Sequence, residues 1–77
     1  MTMDDLLRRA ARQSGISIRK NVLGGRPCVK GTDISVAAVL DLLRTGYTHE
    51  GILVKFPKLT KEGLKSALRF AVLVMER

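Results

Sequence analysis

The 77-residue sequence has no tryptophan, one tyrosine and two phenylalanines. That scarcity argues against a single-strand nucleic-acid binder, which stacks bases on aromatic side chains. Cys28 is the only cysteine. No intrachain disulfide can form, and a lone thiol suits a reducing cytoplasm; its ordinary role is that of a small apolar residue. The one histidine, His49, has no neighbouring cluster of Cys, Asp or Glu, so no metal site and no cofactor is expected. Asp33, Asp41 and Glu50 are scattered and suit helix caps and ion pairs better than acid–base chemistry. Gly24-Gly25 is too short for a phosphate loop and lacks the strand–loop–helix context. No catalytic residue, no small-molecule substrate and no enzyme are expected. Asp4, Asp5, Arg8 and Arg9 interrupt the N-terminus where a signal-peptide core would lie, and no apolar run is long enough to span a bilayer. The expectation is a soluble, cytoplasmic protein without a membrane partner.

What the sequence has in excess is positive charge. Lys and Arg number 14 against 7 Asp and Glu, a net charge of +7 and a pI near 10.4. A small domain of that pI has the electrostatic footprint of a nucleic-acid binder, though the same charge attracts any acidic partner. With few aromatics, duplex DNA held through its phosphates is the favoured ligand. The chain is one small unit. At this size it buries roughly 60–65% of its unfolded surface, so assembly or a partner is expected to add stability.

The apolar periodicity predicts a mainly α fold. Residues 2–13 read as a helix capped by Thr2, with Asp4 and Asp5 in its first turn and Ser14-Gly15 at its end. Ile16-Ser17-Ile18-Arg19 alternates like a half-buried strand, and Pro27 to Val29 can return beside it. Helices follow over residues 35–45, capped by Asp33 or Ser35, and 48–56, capped by Thr48. The last covers residues 60–75, capped by Thr60. Gly46 and Pro57 stop the first two. Residues 1–15 are thus expected as an N-terminal helical extension, and 16–77 as a β-arm plus a three-helix helix-turn-helix domain.

The last two helices, joined by Pro57-Lys58-Leu59-Thr60, have the spacing of a helix-turn-helix, whose second helix enters the major groove. Lys58, Thr60, Lys61, Glu62, Lys65 and Arg69 are therefore the candidate DNA-binding residues. The alternative for the charge row is a solvated helix face. Phe70 and Leu73 fall outside the main apolar stripe of the last helix. With Ile16, Ile18 and Val29 of the arm they are the candidate dimer or partner interface, unless the first helix or the hairpin covers them. Gly24, Gly25, Pro27 and Gly31 are expected to be structural turn residues that contact no ligand.

The run Leu23-Gly24-Gly25-Arg26-Pro27-Cys28-Val29-Lys30-Gly31-Thr32-Asp33-Ile34-Ser35-Val36 resembles the signature of the DUF433 family, a VapB-type antitoxin group. Gly46-Tyr47-Thr48-His49-Glu50-Gly51-Ile52-Leu53 and Phe56-Pro57-Lys58-Leu59-Thr60 resemble its second signature. The resemblance covers roughly residues 16–76. It implies a homeodomain-like helix-turn-helix, dimerisation, binding to the protein's own promoter and a PIN-like ribonuclease toxin as partner. Asp33 stands where the family usually has Arg, Phe56 where it has Tyr, and Gly51 and Gly63 where acidic or helix-forming residues are usual. With almost no sequence after the last helix, toxin contact is expected at the N-terminal helix, the hairpin or the Phe70–Leu73 flank. The alternative function is an interaction module of the same fold that binds a protein without DNA. A role in binding RNA through the basic surface is a third.

Overall fold

In order along the chain, the computed structural model contains α1 (Met3–Ser14), β1 (Ile16–Ser17), a tight turn at Leu23–Gly25, β2 (Cys28–Val29), α2 (Val36–Arg44), α3 (His49–Lys55) and α4 (Lys61–Met75). It describes residues 2–75; the expected domain bounds at residues 1 and 77 lie outside the described residues.

Each helix starts where a hydroxyl can satisfy a free backbone N–H. Thr2 Oγ1 accepts from the Asp5 N–H at 3.1 Å, and the Asp5 carboxylate accepts from the Thr2 N–H at 3.4 Å, which closes a capping box. Ser35, rather than Asp33, caps α2 by accepting from the Ala38 N–H. Thr48 and Thr60 do the same for α3 and α4 through Gly51 and Gly63. Such a cap contributes about 1 kcal/mol. α1 ends on Gly15 in the left-handed region.

The sheet is smaller than the alternation predicts. It pairs Ile16 with Val29 and Ser17 with Cys28, antiparallel, and goes no further. Beyond Ser17 the backbone bonds locally: the Val22 N–H donates to Arg19 O and the Gly25 N–H to Val22 O. These bonds replace the ladder, so Ile18 and Arg19 leave the sheet. Gly24 and Gly25 make the reversal at φ 66° and 87°, a region costly for residues with a Cβ.

One core joins all the helices with the sheet. α4 is its axis, packed against α1, α2 and β2. Ala10 and Ala11 of α1, Val29 of β2, Val39 of α2, Ile52 of α3 and Ala67 and Phe70 of α4 belong to the same buried cluster. α1 is therefore an integral layer rather than an appendage. Its two alanines allow close approach to α4, and its one buried polar side chain, Ser14, donates to Ala10 O at 2.6 Å.

Gly63 is the second close-packing device. A Cβ there would stand 2.9 Å from Val29 Cγ1 and 3.0 Å from Leu59 Cδ1. The residue that reads as a weak point in α4 is the one that lets β2 lie against the start of that helix.

Candidate nucleic-acid interface

α3 and α4 are joined by a short turn anchored at its centre. Leu59 is buried, and its N–H donates to Phe56 O at 2.9 Å. Lys58 and Thr60 flank it and are exposed. Across the turn, α4 divides cleanly into two faces. Gly63, Leu64, Ala67 and Phe70 are buried, while Lys61, Glu62, Lys65 and Arg69 are exposed. At 100° per residue the three cations fall on one side of the helix, away from the core. Glu62 and Lys65 approach to 3.8 Å, but so exposed a pair is worth little and leaves both groups able to bind elsewhere. All six candidate DNA-binding residues thus lie on solvent-facing surface.

The candidate interface residues are placed differently. Ile16, Val29 and Phe70 are each only 5% exposed. Ile18 and Leu73 are half-buried and packed on the core. α1 packs along α4, and the two strands of the arm pack against α1 and α4. Ile16, Val29 and Phe70, expected on an exposed interface, are instead buried within the single chain. Among the described residues the large apolar side chains left exposed are Met3, Leu23, Tyr47, Val54, Val72 and Met75.

Pro27 precedes β2, and its carbonyl accepts from the Val36 N–H at 3.0 Å. Gly31 turns the chain at φ 81° between β2 and α2. Thr32 fastens that turn: its hydroxyl donates to Val29 O at 2.8 Å and accepts from the Ile34 N–H at 3.0 Å. Cys28 is buried beneath it. Burial pushes its thiol up, Arg19 draws it down to a smaller extent, and Asp33 raises it further.

Two depressions flank the start of α4. One, of about 240 Å³, lies between α3 and α4 over Leu53, Leu64 and Leu68, with His49, Glu50, Lys61 and Lys65 around them. The other, of about 370 Å³, lies between the Gly31 turn and the α3–α4 turn. It brings Lys30 beside Lys58 and Thr60. Lys30 is absent from the sequence-derived site because nothing in its spacing couples it to α4. The only signal in the sequence is the helix-breaking Gly63, whose packing role is visible once β2 is placed. Among the described residues no group of three metal-ligating side chains occurs, and no helix is long and apolar enough to cross a membrane.

Fold and surface together define a small, mainly helical protein with a two-stranded sheet and a cationic face on its central helix. The chain belongs to the DUF433 family, described as proteins of unknown function, whose model matches residues 16–71. Among solved structures it is similar to a DUF433 member protein from Anabaena variabilis, at 26% identity and a TM-score of 0.74, over 95% of this chain and 72% of that one. Curated proteins offer no match.

Proposed function

We propose that this protein is a dimeric DNA-binding autorepressor and the antitoxin of a toxin–antitoxin pair, neutralising a PIN-like ribonuclease. In this reading α2, α3 and α4 form a homeodomain-like helix-turn-helix, and α4 enters the major groove with its first turns toward the bases. The observation that carries the reading is the row Lys61, Lys65 and Arg69, exposed on the one face of α4 that the core does not use. Lys58 and Thr60 extend it onto the preceding turn. Net charge of +7 supplies the non-specific attraction. The antitoxin role rests on the motif resemblance. Pairing of two copies would present two α4 helices to half-sites about one DNA turn apart.

The test is titration of the purified protein into a labelled duplex taken from upstream of its own gene, against a scrambled duplex. Tighter binding to the upstream duplex, with two protomers per site, is expected. Binding to neither duplex would end the DNA reading. Co-expression with the neighbouring gene product then tests neutralisation.

A second reading is favoured by the α3–α4 groove, whose three leucines and two lysines, set against the single carboxylate of Glu50, suit a protein segment with an apolar anchor and an acidic flank. In that case the protein is an interaction module that leaves DNA alone. Retained partner binding with no duplex binding would support it.

A further inference from the structure

We infer that the turn after β2 is a working part of the surface, and that Lys30 and Lys58 together seat a backbone phosphate of the bound nucleic acid. The inference rests on the DNA reading above and extends it to a segment that the sequence marks as purely architectural.

Three observations converge. First, Lys30 and Lys58 come from turns 28 residues apart in sequence, yet both line the one hollow of about 370 Å³. Both are exposed, and neither is paired with a carboxylate among the described residues. Two unpaired lysines bordering one concavity from different turns both attract an anion that enters it. Second, the juxtaposition is built rather than incidental. Gly63 carries no Cβ where one would strike Val29 at 2.9 Å, so β2 lies directly on α4. The backbone bonds Lys30 N–H to Gly15 O and Thr32 N–H to Val29 O then hold the turn in place. Third, the hollow is open for approach. Gly31 has nothing within 4 Å of where a Cβ would stand, so a phosphate can come close to the backbone there. Glu62 also borders the hollow, so its charged lining is Lys30 and Lys58 against one carboxylate, a net positive balance; that carboxylate also lies 3.8 Å from Lys65. The hollow adjoins the Lys61–Lys65–Arg69 face, so one duplex can engage both.

The chemistry is that of a phosphodiester held between two point charges from rigid turns. It positions α4 in its groove and reads no base. Lys30 accordingly fixes register, while α4 supplies whatever sequence preference exists.

The experiment compares the salt dependence of duplex DNA binding for the wild type, Lys30→Ala, Lys30→Arg and Lys20→Ala. Lys20 is also exposed but lies on the hairpin away from the hollow. Melting temperatures check that each variant is folded. One lost phosphate contact lowers the slope of log affinity against log salt by about one. Lys30→Ala is expected to show that drop, equally on specific and scrambled duplexes. Lys30→Arg and Lys20→Ala are expected to match the wild type. A wild-type slope in Lys30→Ala, or an equal drop in Lys20→Ala, overturns the inference. If the wild type binds no duplex at all, the DNA reading itself fails, and inorganic pyrophosphate decides for the hollow alone. Saturable amide shifts confined to Lys30, Gly31 and Lys58 and lost in Lys30→Ala keep the anion seat; their absence removes it.

Discussion

The two faces of α4 differ in almost every respect. On one, Gly63, Leu64, Ala67 and Phe70 are enclosed by α1, α2 and β2. On the other, Lys61, Glu62, Lys65 and Arg69 are exposed to solvent. The buried face is where the fold's energy resides, because removal of apolar surface from water is the main term favouring the folded state. The exposed face contributes little to stability. Its cations cost solvation to bury and gain little from the one weak pair they make. A single helix therefore separates the requirement to fold from the capacity to bind, and the two can be perturbed independently.

The largest perturbation should come from the buried face. Phe70→Ala removes the one aromatic ring fully enclosed by the core and is expected to cost about 3–5 kcal/mol. Denaturant unfolding with circular dichroism would measure it. A loss below 1 kcal/mol would mean that the ring is not held in the core. Next is Gly63→Val. Its branched side chain must displace Val29 and Leu59, an overpacking cost of about 1–3 kcal/mol. Duplex binding is expected to weaken along with stability, because the turn bearing Lys30 is pushed off α4. A fully stable variant would contradict the close approach.

Gly25→Val tests a different cause. Nothing crowds that position, but its φ of 87° is disfavoured for a residue with a Cβ. A loss of about 1–2 kcal/mol is expected from backbone strain alone. Duplex affinity should hardly move, in contrast with Gly63→Val. An unchanged melting temperature would show that the turn relaxes without penalty.

How far the sequence foretells this division can be judged residue by residue. Local signals are accurate: Thr2, Thr48 and Thr60 cap the helices they precede, and Gly15 ends α1. The exposed row Lys61, Lys65 and Arg69 follows directly from helical spacing. Long-range facts are not legible. Phe70 looks unpartnered because the elements packed on α4 include α1, about 60 residues earlier in the chain, and no periodicity records which helix packs on which. Lys30 looks irrelevant for the same reason. Its partner Lys58 is brought near by an absence, the missing side chain of Gly63, which reads locally only as poor helix propensity.

A smaller effect concerns Cys28. Burial raises its thiol pKa in the folded state, so the unfolded chain ionises first as pH rises. The associated stability is complete below the unfolded thiol's pKa, about 8.5, and is lost progressively as pH climbs through the folded value. Melting temperature should therefore fall on the alkaline side, and the fall should be smaller in Cys28→Ala. Identical alkaline profiles would assign the decline to other groups.

The smallest stability change and the most direct test belong to the exposed face. Lys61→Ala combined with Lys65→Ala should leave folding free energy within about 0.5 kcal/mol of the wild type for each site. The measurement is the salt dependence of duplex DNA binding, wild type against this double variant. Steep salt dependence is expected for the wild type and a slope flatter by about two for the variant, with the fold unchanged. An identical slope in both proteins would contradict it and remove α4 from any nucleic-acid interface.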